Sequence, residues 1–261
     1  MTNPRGVSMI VPYHRRPRLL SIAWESWAQQ ARTDGIPLEV VILENDDGES
    51  TLPCAPVGAT LTHLRIPTPS GPWRSPGLLW NLGARVARHP VVILTHPEIV
   101  HFGDVPKVAS AHTPERGLLQ FSCRTLLEPP ADVVDLASFS LWHGDDLESI
   151  TDHGDINGWY SHPLIRPNLA PWAMAMTPDS FRLVGGFDYR FDAEYGSEDA
   201  DFAIRVLKTF TERERVLSVT PHVGHLGHGR RHDDKTKAAL MRSVALLRRI
   251  HGPDADLIGA G

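Results

Sequence analysis

The stretch VGGFDYRFDAEYGSEDADFAIRVL, Val184–Leu207, decides how the rest of the chain is read. Pro178 can open a short helix just before it, and Gly185–Gly186 ends that helix, because glycine turns left-handed without steric cost. A loop of aromatic and acidic residues leads to Ser197, a residue type favoured at helix N-caps. Beyond it Phe202, Ala203, Val206 and Leu207 recur at the spacing of one buried helical face. Glu198 and Asp199 fall in the first turn, where carboxylates complement the helix dipole. That role needs no chemistry. A helix N-terminus is also expected to keep such a carboxylate ionised at neutral pH, as a proton acceptor requires. Asp201, two residues on, leaves the helix in another direction and reads as structural.

Upstream, strand and helix signals alternate. VSMIV (Val7–Val11) reads as a strand ended by Pro12, and Pro17 opens a helix with Leu20, Ala23, Trp24, Trp27 and Ala31 on its apolar face. LEVVILE (Leu38–Glu44) is a second buried strand followed by the acidic loop NDDGES, and LTHLRI (Leu61–Ile66) is a short third. A helix fits Leu78 to Ala87, and VVIL (Val91–Leu94) is a fourth strand. This order is that of an open α/β sheet with helices on its faces. Further strands are expected at Gly117–Thr125, Leu169–Thr177 and RVLSVT, the last running into the polar loop PHVGHLGHGRRHDD. Leu126 to Ile165 reads as an irregular, partly helical excursion, and an amphipathic helix near Lys235–Ile250 closes the chain.

In open α/β sheets ligands bind beyond the carboxyl ends of the strands. Those ends carry Tyr13 and His14, then Glu44–Asp47, then His96 and Glu98 in VVILTHPEIV. Either a core strand surfaces there into a polar loop, or the imidazole and carboxylate are ligands of a shared crevice.

The ordered set of segments resolves the choice. Val7–Gln30, VSMIVPYHRRPRLLSIAWESWAQQ, together with the GGFD…YGSEDAD stretch, resembles the family 2 glycosyltransferases of the GT-A fold, which carry GGFDE.F..YG.ED.D…R before their last catalytic helix. The resemblance covers most of residues 6–230 in order and leaves about 130–165 unmatched. It implies one GT-A domain over 1–261, an α/β fold with an open mixed sheet and a Rossmann-like N-terminal half. Residues to about 100 would bind the donor, about 101–232 would form the acceptor and catalytic half, and 233–261 the closing helix and tail.

The activity implied is sugar transfer from a nucleotide-diphosphate donor, UDP-linked by preference, to an acceptor hydroxyl with inversion. Pro12, Tyr13 and Arg15, with Glu44 and Asn45, would hold the nucleotide. Glu44 would accept a hydrogen bond from the base, although many relatives have Asp-Asp or Asp-Asn there and a shorter loop, which leaves the base open. THPE sits where relatives carry DxD or Asn-Pro-Asp. Glu98 and His96 would then ligate a divalent cation that neutralises the leaving diphosphate. An imidazole ligand favours Mn²⁺ over Mg²⁺. His225 and His228, with His222 as fallback, match a late histidine that completes the metal site, and Arg230 with Arg231 would clamp the diphosphate. Asp199 would be the general base and Glu198 would position the acceptor. Trp172 and Trp159 are candidates for sugar stacking, whereas Trp24, Trp27 and Trp80 read as core. Gly185 and Gly186 would allow the loop beneath the donor sugar, and Asn81 would brace structure rather than do chemistry.

Composition narrows the alternatives. The chain of 261 residues is 41% hydrophobic and 22% charged with a net charge of -5, so it has no nucleic-acid footprint. No segment has the length and hydropathy of a signal peptide or membrane span, and two cysteines without metal spacing fit a reduced, cytoplasmic protein. A nucleotidyltransferase on a related sheet would need a glycine-rich phosphate loop after the first strand, and PYHRRP has no glycine. A non-catalytic nucleotide- or sugar-binding relative draws support from the altered HPE motif but not from the intact GSEDAD. A metal hydrolase would need ligands spaced on a helix, which HLGH does not provide.

Overall fold

The structure, a computed structural model, describes residues 4–46, 48–67, 76–126, 159–162, 169–192, 196–227 and 234–258. Its N-terminal half holds β1 (Val7–Tyr13), β2 (Leu38–Glu44), β3 (Ala59–Arg65) and β4 (Val91–Thr95), in the spatial order β3-β2-β1-β4. All four are parallel, so their carboxyl ends share one edge. β1, β2 and β4 are buried along their whole length, as unbroken apolar runs in a sheet covered on both faces should be. Helix α1 (Pro17–Asp34) covers one face, with Leu20, Ala23, Trp24, Trp27 and Ala31 all buried against alternate β1 residues such as Met9 and Val11. Helix α2 (Pro76–Val86) covers the other, with Leu79 and Trp80 against Ile10, Val41 and Leu43.

The second half adds β5 (Ile99–Phe102), α3 (Val105–His112), β6 (Leu118–Leu126), β7 (Trp159–Ser161) and β8 (Ala173–Met176). Then follow α4 (Pro178–Val184), α5 (Glu198–Thr209), β9 (Arg215–Leu226) and α6 (Asp234–His251). The sheet continues from β4 through β8, β6 and β9 to β5, with β7 beside β6. β8 runs antiparallel to both β4 and β6, which makes the sheet mixed, as expected.

Three sequence expectations need correction. The last strand does not stop at Thr220. It continues through Pro221 to Leu226, pairing with β6 on one side and antiparallel with β5 on the other, so His222 and His225 are strand residues and not loop residues. Gly224 fits this ladder because a Cβ there would lie 2.5 Å from Leu126 and 2.7 Å from Phe102. Ser197 occupies the N-cap position of α5 but is left-handed, φ 66°, and its hydroxyl caps nothing. Its backbone carbonyl accepts from Asp201 N–H instead. Leu207 is 38% exposed, and Ile204 is buried in its stead. The reason is a second cover: α6 and the residues after it pack Leu247 and Ala255 against Ile204 and Phe191.

Candidate active site

The shared carboxyl edge of β1, β2 and β4 carries the first group of residues. Pro12 lies within β1, and Tyr13 is paired in register with Glu44. The Tyr13 hydroxyl meets Thr51, 2.8 Å from Oγ1 and 3.0 Å from the carbonyl, which ties the β2 loop back over the strand end. Burial outweighs that hydrogen bond and pushes the phenol above its ordinary pKa. Arg15 has a left-handed backbone, φ 45°, and its guanidinium grips the Asp46 carboxylate, with Nη2 2.8 Å from Oδ1. That pairing, helped by Gly48 N–H, holds Asp46 far below the usual carboxylate range.

Glu44 is fully buried and well occupied. Ser50 Oγ donates to Oε1 at 3.0 Å, while His63 Nε2 and Arg65 Nε lie 2.8 and 3.4 Å from Oε2. His63 and Arg65 project from β3, a strand from which no site residue was expected. The alternation of ATLTHLR gives the signal, since His63 and Arg65 lie on the same face two residues apart. Asn45 donates its N–H to Tyr13 O at 2.9 Å, and its side-chain Oδ1 is buried without a hydrogen-bond partner. The NDDGES loop is therefore fastened by Tyr13, Arg15 and Glu44 together.

The THPE turn joins β4 to β5. Ile99 N–H closes it onto His96 O at 3.2 Å, and Leu226 N–H donates to Glu98 O at 2.9 Å. The second bond seats Glu98 beside the end of β9, with Oε1 3.7 Å from His225 Nε2. The same Oε1 is 3.0 Å from Nη1 of Arg16, the residue just before α1. The His96 ring lies 4.9 Å from Trp80 and 5.5 Å from Trp172. Trp172 and Tyr160 also stand against His225, at 5.1 and 4.9 Å. An aromatic wall thus backs both histidines. Trp159 belongs to a separate stack with His222 and His162, under the Arg124 guanidinium.

Among the described residues no three His, Cys, Asp or Glu side chains converge on one point. His228, Arg230 and Arg231 lie outside the described residues. The donor set of Glu98 and His225, one carboxylate and one imidazole, fits a divalent ion that completes its shell with oxygens of a bound phosphate.

The second group of residues lies at the start of α5. Glu198 is buried and Asp199 half-buried. Ala200 N–H donates to Asp199 Oδ1 at 2.8 Å, yet burial prevails and raises this carboxyl above its ordinary value. The helix start therefore does not hold Asp199 as strongly ionised as the dipole alone implies. Asp201 is structural, as its direction suggested: it pairs with Arg205 and His251. Before the helix, Gly185 and Gly186 are both left-handed. A Cβ on Gly186 would fall 2.5 Å from Asn81 Oδ1, the atom that accepts from Phe187 N–H. Asn81 Nδ2 returns a hydrogen bond to Phe187 O, and Arg205 Nη1 holds the Val184 and Gly186 carbonyls. The loop is braced from both sides.

The fold has counterparts among known proteins. A family model described as the N-terminal domain of galactosyltransferase matches residues 169–229, a span that includes β8, α4, α5 and β9. No curated protein matches the chain by sequence. Among solved structures, S. aureus TarS 1–349 in complex with UDP-GlcNAc superposes with a TM-score of 0.56 at 13% identity, over 93% of this chain and 66% of that one. The mannosyltransferase PcManGT from Pyrobaculum calidifontis, in complex with GDP-Man and Mn²⁺, gives 0.52 at 15% identity over 95% and 65%. TarS in a longer form gives 0.52 at 13% identity, over 93% and 40%. The chain spans less than two thirds of each of these structures. No helix among the described residues is long and apolar enough to cross a membrane. The chain has the GT-A fold of the glycosyltransferases, and its residues 169–229 match a galactosyltransferase domain.

Proposed function

We propose that this protein transfers a sugar from a nucleoside-diphosphate donor, UDP-linked by preference, to an acceptor hydroxyl with inversion. The observation that carries the reading is the meeting of Glu98, in the turn after β4, with His225 of β9, next to Arg16 beyond the end of β1. The TarS and PcManGT complexes, with UDP-GlcNAc and with GDP-Man and Mn²⁺, support the donor class.

In this reading Glu98 and His225 hold a divalent ion, Mn²⁺ in preference to Mg²⁺, with His96 and His228 as further candidates. Bound there, the ion supplies positive charge to the departing diphosphate. Tyr13, Arg15, Glu44 and Asn45 form the nucleotide end, and Arg230 contributes a phosphate contact. Asp199 takes the proton of the acceptor hydroxyl as that oxygen attacks C1, while the bond from C1 to the phosphate oxygen breaks and the nucleoside diphosphate departs. A raised pKa suits this role, because a stronger base removes a hydroxyl proton more readily. Glu198 orients the acceptor, and Trp172 offers an apolar face to a sugar ring.

Calorimetric titration of UDP, GDP and dTDP, with Mn²⁺ and with EDTA, tests the assignment on the wild type and on Glu98→Ala. Manganese-dependent binding of one nucleotide that is lost in the variant supports it. Absence of binding by all three overturns it.

A further inference from the structure

The two arginines that follow β1 do different work. Arg15 turns left-handed and spends its guanidinium on Asp46, at the end of β2. Arg16, one residue on, faces the other way and reaches Glu98. Its side chain is 38% exposed, whereas those of Glu98 and His225 are only 7% and 4% exposed, so the guanidinium stands between the buried acid and solvent. The Glu98 oxygen within 3.0 Å of Arg16 is also the oxygen 3.7 Å from His225. A divalent ion held by Glu98 and His225 would have to share this carboxylate with Arg16.

We infer that Arg16 is a built-in counter-cation of the donor site: it competes with a divalent ion for Glu98 and, when displaced, turns to the diphosphate of the bound donor. Two physical constraints favour this arrangement. A carboxylate as buried as Glu98 needs a compensating charge when no ligand is present, and Arg16 provides it. An ion taking Glu98 would leave the guanidinium beside new positive charge, and two phosphates are the natural relief, since a guanidinium pairs with phosphate oxygens in a forked geometry. The position of Arg16 suits the exchange. It directly precedes Pro17, so its backbone is anchored at the start of α1, within reach of the turn that carries Glu98. Arg15 is engaged elsewhere, with its Nε and Nη2 both on Asp46. This inference rests on the transferase reading for its second half, the turn to phosphate, but not for its first.

The test separates the halves. Mn²⁺ alone, without nucleotide, is titrated into wild type, Arg16→Gln, Arg16→Lys and Glu98→Gln, with thermal melting to confirm folding. Arg16→Gln is expected to bind Mn²⁺ about tenfold tighter than wild type, because one repelling and competing charge is gone. Arg16→Lys, which keeps the charge, is expected to stay near wild type, and Glu98→Gln to lose binding. UDP is then titrated at saturating Mn²⁺, where Arg16→Gln is expected to bind about five- to tenfold more weakly. Opposite movements of metal and nucleotide affinity are not what a merely structural residue produces. Mn²⁺ affinity in Arg16→Gln no greater than in wild type, absence of binding in both included, overturns the competition. Unchanged or tighter UDP binding overturns the turn to phosphate. If wild type binds no nucleoside diphosphate, the transferase reading fails, and the competition is judged on Mn²⁺ alone.

Discussion

His251 places Nε2 2.8 Å from Oδ1 of Asp201, and through that contact the end of α6 is fastened to α5, the helix that carries Asp199 in its first turn. Arg205 occupies the other oxygen of Asp201, with Nη2 at 2.5 Å and Nε at 3.0 Å. Since Arg205 also holds the Val184 and Gly186 carbonyls, one buried carboxylate organises the glycine loop, α5 and α6 together.

Asp201→Ala should therefore act on stability. Removing one partner of a buried ion pair strands the other charge, which costs on the order of 3–5 kcal/mol. Urea unfolding of the variant beside wild type measures the loss. A change below about 1 kcal/mol would contradict the organising role.

Asp199→Asn should act on chemistry instead. Loss of a general base lowers turnover by about 10²–10⁴ while leaving nucleotide binding intact. The wild-type rate should rise with pH as Asp199 loses its proton and reach a plateau. Because burial raises this carboxyl, the rise falls above the ordinary aspartate value. A pH–rate profile without that limb, or a variant that retains turnover, would remove Asp199 from the base role.

His101, on β5, is fully buried, and neither ring nitrogen has a hydrogen-bond partner. Burial depresses its pKa from 6.5 to about 3. Between those values the unfolded chain binds a proton that the folded chain does not, so stability falls as pH drops through this window. From pH 7.5 to 5 the loss from this residue is about 2 kcal/mol. His101→Leu should flatten that part of the stability profile and raise stability at pH 5, as an apolar side chain needs no partner. Melting temperatures at the two pH values, compared between variant and wild type, measure it.

Gly186→Ala should strain the loop twice, through a left-handed φ of 64° and through a Cβ placed 2.5 Å from Asn81 Oδ1. The expected destabilisation is about 1–3 kcal/mol, visible as a lowered melting temperature. Gly185→Ala meets only strain, since its nearest neighbour would be 3.7 Å away, and should cost less.

The parallel half was readable because β1, β2 and β4 are buried on both faces and so appear as unbroken apolar runs. The face of α1 was readable for a similar reason, since five apolar residues at helical spacing all point into one core. β9 was not, because Pro221 and Gly224 ordinarily break strands, and only their neighbours explain why they persist here. Four-residue β5 and three-residue β7 are too short to show a period. In the site, Asn81 and Asp201 were read as structural, and their hydrogen bonds agree. Arg16 was overlooked beside Arg15 because sequence spacing does not reveal which of two adjacent arginines turns toward which strand. That His63 and Arg65 share one face is legible in the alternation of β3, but that this face meets Glu44 depends on β3 lying next to β2, a long-range fact.

Met174, Ala175 and Met176 of β8 pair with Leu94, Ile93 and Val92 on one side and with Gln120, Leu119 and Leu118 on the other. Ala173 adds a fourth pair, with Thr95, so the four residues of β8 join the parallel strands to the β6–β9–β5 group. Glu98 and His225 are carried by one continuous slab, and their separation is set when the sheet forms, before any ligand arrives. Motion during turnover is left to side chains and loops: the swing of a guanidinium, the tilt of a turn.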